Sequence, residues 1–192
     1  MRRCLVLAML LAAPAAANAQ LACSVSLTEL NFGTIQTTAS GTYDTRGSIV
    51  VTCTGSQGAA IGACVDIAPG AVDASGLRML SPPKGQNGLA MQIYQDATLA
   101  RPWGGSAMGQ AFVLQRTGDG PMIAQIYARL FAPRGAPVAG TYASALPVTL
   151  RYGFAGAAGA DCAALGGKAA PQVASSRGTA APAAAVAAGR KR

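Results

Sequence analysis

The chain has 192 residues and a formal net charge of +8, with 24 glycines, 11 prolines, five cysteines and no histidine. Without histidine, the commonest general base and metal ligand is missing, and only seven carboxylate side chains remain for acid–base chemistry. This composition argues against an enzyme and against a bound metal or cofactor. It favours a structural or binding protein.

The first nineteen residues have the three parts of a secretory signal peptide. Arg2 and Arg3 supply the positive charge, residues 4–13 are apolar, and Ala17-Asn18-Ala19 provides a small-residue cleavage site. The apolar stretch is too short to span a bilayer. We therefore expect export, no transmembrane segment, and a mature chain that begins at Gln20.

Residues 20–154 contain short runs of alternating or β-branched sequence, separated by Gly, Pro, Asn and Ser. The runs are, in chain order, 24–28, 30–35, 48–52, 64–68, 77–80, 89–94, 111–115, 122–131 and 146–154. No window sustains the i, i+3, i+4, i+7 spacing of an amphipathic helix. The run 30–35 continues the run 24–28, so the pattern indicates about seven or eight closely spaced strands with turn signals between them. Such strands predict an antiparallel β-sandwich, with a β-barrel as the alternative.

Residues 155–192 differ in composition, since 16 of these 38 residues are Ala and 6 are Gly. The segment has no aromatic residue and few large apolar ones, so it offers little buried surface to offset the entropy that ordering costs. We expect a mostly disordered tail, and a folded domain over residues 20–154. The terminal Arg190-Lys191-Arg192 is interpreted as a solvated end.

The positive charge lies mainly outside this domain. Residues 20–154 carry 8 basic and 6 acidic side chains, a net charge of +2, whereas the tail carries +4 and the signal peptide +2. The domain has no basic patch with interleaved aromatic residues. We therefore expect no binding of nucleic acid.

Four cysteines remain after the expected cleavage, at Cys23, Cys53, Cys64 and Cys162. In an exported protein they indicate two disulfides, with three pairings allowed. They contain no C-x-x-C spacing, which makes zinc an unfavoured alternative. Acylation of Cys23 is also unfavoured, because Gln20 does not suit the position three residues before a lipidated cysteine.

An immunoglobulin-like strand order distinguishes between the disulfide pairings. The strand that begins at Cys23 would run antiparallel to the strand that ends at Cys53. The strand that begins at Cys64 would neighbour the last strand, which Cys162 follows after a short excursion. This order favours the pairs Cys23–Cys53 and Cys64–Cys162.

A series of short strings spans nearly the whole of residues 23–152. The strings are 23–26 (CSVS), 30–33 (LNFG), 49–53 (IVVTC), 77–79 (LRM), 89–96 (LAMQIYQD), 103–105 (WGG), 126–129 (IYAR), 139–142 (AGTY) and 148–152 (VTLRY). Each string has low specificity, but their order and spacing together resemble the spore coat protein U family, the secreted subunits of archaic chaperone–usher pili. The tail after Phe154 lies outside the resemblance.

The resemblance implies an incomplete immunoglobulin-like sandwich that lacks its last strand, with the strands in 24–35 and 146–154 flanking an exposed groove. It implies three kinds of partner: a periplasmic pilus chaperone, an outer-membrane usher, and other pilus subunits as strand donors. Assembly would proceed by β-strand addition. The expected location is the periplasm and then a surface fibre that supports adhesion and biofilm formation.

Two features bear on how the groove would be filled. Only residues 20–22 lie between the expected cleavage site and Cys23, too few for a donor strand, which favours a tip subunit or pilus-associated protein over a shaft subunit. The tail is the other candidate to fill the groove. The sequence disfavours it, because Val173 and Val186 are nearly its only strand-like residues after Leu165.

Trp103 is the single tryptophan and lies on a Gly-rich stretch. An exposed indole there could contact a sugar or another apolar ligand. The resemblance favours a packing role instead, because the Trp-Gly string recurs in the family as part of the fold signature. The alternative function is a stand-alone secreted or envelope binding module that uses the loops around Trp103.

Overall fold

The computed structural model describes residues 20–36, 40–82, 88–103, 111–133, 138–156 and 162–181. The expected signal peptide and the terminal basic residues lie outside them. The described residues form strands β1 (Ala22–Leu27), β2 (Leu30–Gln36), β3 (Gly41–Thr54), β4 (Ala60–Ile67), β5 (Arg78–Leu80), β6 (Leu89–Tyr94), β7 (Phe112–Thr117), β8 (Gly120–Ala132), β9 (Gly140–Phe154), β10 (Gly167–Lys168) and β11 (Gln172–Ala181). This part of the chain includes no helix able to cross a membrane.

The strands form two sheets. The first has the order β1-β3-β8-β6-β5, and the second has the order β2-β11-β9-β4-β7, with the short β10 paired to β9. All the pairs are antiparallel except β2 with β11, which run parallel. The prediction of an all-β, immunoglobulin-like sandwich is confirmed.

The core lies between the two sheets and is built from the alternation that the sequence shows. On β8 every second residue from Met122 to Ala132 is buried, and on β9 the same holds from Leu146 to Leu150. A strand points successive side chains to opposite faces of its sheet, so a period of two buries one face and leaves the other in solvent. Each predicted run of residues 24–154 falls largely within one of β1–β9.

One disulfide links two neighbouring strands, and the other links a strand to the segment that follows its neighbour. Cys23 on β1 and Cys53 on β3 are directly opposite each other in the antiparallel register, with their Cα atoms 4.1 Å apart. Cys64 on β4 is bonded to Cys162, which follows β9, the antiparallel neighbour of β4. These are the two pairings that the expected strand order favours.

A fully buried arginine connects the two sheets. Arg78 on β5 donates from Nη1 to Gln92 Oε1 on β6 at 2.6 Å. Its Nη2 donates to the carbonyl oxygen of Ile67 on β4 at 2.9 Å and to that of Trp103 at 2.6 Å. Removal from water lowers the pKa of Arg78 to about 10, against the opposing effect of the Asp66 carboxylate. The guanidinium thus stays charged at neutral pH and serves as a cross-sheet hydrogen-bond hub.

At one end of the sandwich, a single carboxylate accepts hydrogen bonds from the loop that connects β3 to β4. Asp119, in the turn between β7 and β8, accepts hydrogen bonds from the backbone N–H of Ser56 at 2.8 Å and of Gly55 at 3.2 Å. The hydrogen bonds from Ser56, first its side chain and then its N–H, lower the pKa of Asp119 below its usual value.

This lowered pKa predicts an acid-dependent loss of stability. A carboxyl group with a lower pKa in the folded state stabilises fully above its unfolded pKa of about 3.9, and that contribution is lost as the pH falls through the folded value. Urea unfolding should therefore show a smaller loss of stability between about pH 6 and pH 3 in Asp119→Asn than in the natural protein. An equal loss in both proteins would contradict the assignment.

Candidate strand-accepting groove

Strands β2 and β9 border a groove that is one strand wide. They do not pair with each other, because β11 lies between them. Strand β11 runs antiparallel to β9, from Gln172 opposite Val148 to Ala180 opposite Gly140. On its other side it runs parallel to β2. The C-terminal segment therefore completes the second sheet.

This placement corrects the expectation for residues 155–192. Residues 20–154 do leave the sandwich one strand short, but the expectation of disorder is wrong for residues 167–168 and 172–181, which are strands. The expectation weighed the tail's side chains alone, which are too small to form a core. It left out the backbone hydrogen bonds that two unpaired strand edges offer to any extended segment.

The path of the chain back to the groove is fixed at three points. Cys162 is bonded to Cys64 on β4, and the buried Leu165 packs against Gly153. Next, β10 pairs with Tyr152 and Arg151 of β9, directly ahead of the residues that pair with β11. The tail thus reaches the groove along the same edge of β9 that β11 occupies.

Large apolar side chains line the groove and small ones fill it. The buried side chains of β2 and β9 are Leu30, Phe32, Ile35, Tyr142, Leu146, Val148 and Leu150. The buried positions of β11 are Ala174, Ser176, Gly178 and Ala180. The inserted strand therefore contributes little apolar surface to the core.

Gly178 is closely packed against the wall of the groove. A Cβ atom at this position would lie 2.6 Å from Ile35 Cδ1 and 3.4 Å from Phe32 Cβ. The side chain of Ile35 thus occupies the space that a larger residue on β11 would need. The register between β11 and β2 also shifts here, between Arg177 and Thr179.

Ser176 leaves a polar atom buried within the groove. Its side chain is 1% exposed, and its Oγ has no hydrogen-bond partner among the described residues. A buried hydroxyl without a partner costs about 1–3 kcal/mol. This position therefore weakens the insertion of β11.

Ser176→Ala should stabilise the protein by about 1 kcal/mol, because it removes the unpaired hydroxyl and keeps the β-carbon. The matched control is Ser175→Ala, since Ser175 is the exposed neighbour on the same strand and its replacement should change little. Urea denaturation of both variants measures the difference. A destabilised Ser176→Ala protein would show that Ser176 has a partner that it needs.

The outer face of β11 adds little further stability. Arg177 Nε lies 3.0 Å from Glu29 Oε2, and both side chains are largely exposed. Exposed ion pairs of this kind contribute about 0–1 kcal/mol. Val173, the one large apolar residue of the strand, is 57% exposed and so lies outside the core.

Trp103 lies in the core. Its side chain is 0% exposed and stacks on Phe112, with the ring centroids 5.0 Å apart. The ring therefore presents no surface to a ligand, and its role here is packing. The described residues also contain no group of three or more Cys, Asp or Glu side chains arranged to hold a metal ion.

Three solved structures illustrate the comparison with known folds. The CooA pilin subunit from enterotoxigenic Escherichia coli is 11% identical, with a TM-score of 0.40, and the match covers 82% of this chain and 99% of that chain. The CssB subunit of colonization factor CS6 from enterotoxigenic Escherichia coli, complemented with a donor strand from CssA, is 13% identical, with a TM-score of 0.43 and coverage of 82% and 97%. The CupB6 tip adhesin from Pseudomonas aeruginosa is 12% identical, with a TM-score of 0.42 and coverage of 83% and 43%.

A comparison with curated protein sequences gave no significant match. The model of the Spore Coat Protein U domain family, in contrast, matches residues 8–149. That range includes β1–β8 and most of β9, and so both walls of the groove. It ends before β11 begins. The chain belongs to the Spore Coat Protein U domain family.

Proposed function

We propose that the protein is a structural or tip-associated subunit of an extracellular chaperone–usher pilus, and that the groove between β2 and β9 is its strand-accepting site. The observation that carries the proposal is the position of β11, since a segment outside residues 20–154 completes the sheet between two strands that do not pair directly. Membership of the Spore Coat Protein U domain family supports it. At the cell surface such a fibre would serve adhesion and biofilm formation.

The proposal follows from the physics of an unfilled groove. Without β11, one edge of β2 and one edge of β9 would lose their hydrogen-bond partners, and apolar side chains such as Leu30 and Leu146 would meet water. Exposed strand edges beside an apolar surface readily pair with another chain. A strand from another subunit at the usher, or one lent by a periplasmic chaperone before assembly, would take the place of β11 in this groove by β-strand addition.

Size fractionation of material sheared from the surface of producing cells tests the proposal. An antibody against the protein should detect it in particles of high mass that dissociate to monomers only when heated in detergent. Deleting the usher should abolish these particles. Recovery of the protein solely as a free monomer, in equal amounts with and without the usher, would overturn the proposal.

Export by the signal peptide forms part of the same proposal. Mass spectrometry of the exported protein should give Gln20 as the first residue, because Ala17-Asn18-Ala19 is the cleavage site that the sequence provides. An exported protein that still carries residues 1–19 would contradict this step.

A further inference from the structure

We infer that β11 is a displaceable occupant of the groove, which gives way to a strand from another fibre subunit that carries larger apolar side chains. The inference rests on the proposed function, since it assigns a regulatory role to the same groove. The chain would fold with its own tail as a temporary plug and exchange it on assembly. Four features of the groove support this inference.

The first feature is the low apolar content of β11. Its buried positions carry Ala174, Ser176, Gly178 and Ala180, whereas the flanking strands β2 and β9 bury leucine, valine, isoleucine, phenylalanine and tyrosine. Each additional buried methylene group contributes about 0.8 kcal/mol. A strand with the same backbone pairing and larger apolar side chains would therefore occupy the groove more tightly.

The second feature is that β11 buries a polar side chain and exposes its largest apolar one. The hydroxyl of Ser176 is buried without a partner among the described residues, whereas Val173 is exposed to solvent. A strand selected for permanent insertion would carry its valine inward and its serine outward. The observed order keeps the backbone pairing and weakens the side-chain contribution.

The third feature is Ile35, which limits the size of the side chain that a partner strand can carry at one position. Its Cδ1 would lie 2.6 Å from a Cβ atom at position 178, so a bulky residue cannot enter there unless Ile35 moves. A strand with larger apolar residues is therefore expected to carry them at the positions of Ala174, Ser176 and Ala180. It keeps a glycine at the position of Gly178.

The fourth feature is the covalent tether. The Cys64–Cys162 disulfide fixes the chain ten residues before β11, so the tail stays close to its groove. A tethered segment acts at a high effective concentration. Because of this tether, a strand with weak side-chain contacts can occupy the groove until a strand that binds more tightly displaces it.

A peptide competition tests the inference on the full-length protein. Three labelled peptides are compared: the natural sequence of residues 170–181, an enriched peptide with Ala174→Val, Ser176→Val and Ala180→Val, and a bulky peptide that adds Gly178→Val. Fluorescence anisotropy gives the affinity of each peptide. Hydrogen exchange reports whether residues 172–181 of the protein leave the groove.

The enriched peptide should bind at least about tenfold more tightly than the natural peptide, because it buries more apolar surface. Binding should also expose the amides of residues 172–181 of the protein to exchange. The bulky peptide should bind more weakly than the enriched peptide, because its valine at position 178 meets Ile35. Equal binding of the natural and enriched peptides would overturn the inference. Unchanged exchange of residues 172–181 at saturation with the enriched peptide would also overturn it.

Removing the tether provides a second test. In the variant Cys64→Ala, Cys162→Ala the enriched peptide should bind more tightly than in the natural protein, because the tail competes less well. Unchanged affinity would contradict the role given to the disulfide. Successful displacement with no surface fibre would overturn the proposed function, and with it the source of the displacing strand, but not the displacement of β11. A fibre with no displacement would overturn only this inference.

Discussion

Ending the chain after Pro171, which removes β11, should lower the free energy of unfolding by about 5 kcal/mol, a large part of the stability of a small domain. The loss has two causes. The backbone groups that pair β11 with β9 and β2 would lose their partners, and the apolar walls of the groove would be exposed. The shortened protein should aggregate when it is expressed without a chaperone.

A second truncation gives the matched control. Ending the chain after Ala181 removes only residues 182–192 and keeps every residue of β11. This protein should be monomeric and as stable as the full chain. Urea denaturation and size-exclusion chromatography of both truncations test the expectation. Equal stability of the two shortened proteins would show that β11 contributes nothing to the fold.

Arg78→Ala should destabilise the protein by about 3–5 kcal/mol, because it leaves a cavity and removes the donors that serve buried acceptors. The carbonyl oxygens of Ile67 and Trp103 would lose the hydrogen bonds from Nη2, and Gln92 Oε1 would lose the one from Nη1. Since Ile67 and Gln92 belong to different sheets, the change should weaken the contact between the two layers. Urea denaturation at neutral pH measures the loss.

The control for this variant is Arg101→Ala. The Arg101 side chain is 68% exposed, and its Nε lies 3.6 Å from the Asp96 carboxylate. A long contact from an exposed arginine contributes little, so the substitution should change stability by less than about 1 kcal/mol. Similar losses in the Arg78 and Arg101 variants would refute the role given to the buried arginine.

The sequence allowed the strands of residues 20–154 to be predicted because their side chains alternate between core and solvent. Val148, Leu150 and Tyr152 repeat with the period of two that a half-buried strand requires. The disulfide pairing also followed from strand order, because antiparallel neighbours bring Cys23 opposite Cys53. In these regions local pattern and tertiary packing agree.

The strand β11 was not predicted, because its buried positions hold residues that carry no hydrophobic signal. Ala174, Ser176, Gly178 and Ala180 look like a low-complexity tail, yet each alternates with a larger or more polar neighbour. The alternation of small residues with Val173, Arg177 and Thr179 was the available signal. It becomes informative only when the rest of the sandwich is known to leave a strand-wide groove.

The buried position of Arg78 was missed for a different reason. The short run around it contains a charged residue, and arginine is seldom buried in proteins. Its acceptors come from β4, from β6 and from the residue Trp103, which are distant in sequence. Such a convergence of acceptors depends on tertiary structure and leaves no local pattern.

The closed groove also alters the expectation for the isolated protein. A sandwich that lacks a strand should aggregate without a chaperone, whereas one that carries its own strand should remain monomeric. The full-length protein should therefore be soluble when it is purified alone. Under the proposed function, that solubility reflects the temporary filling of the groove.

Hydrogen exchange of the full-length monomer tests most directly whether the tail fills the groove. Amides of residues 172–181 that donate to the edges of β9 and β2 should exchange much more slowly than those of the same peptide free in solution. The peptide that contains Ser176 and Gly178 is the most informative, because it lies at the centre of the groove. Exchange of this peptide at the rate of an unstructured chain would contradict the account.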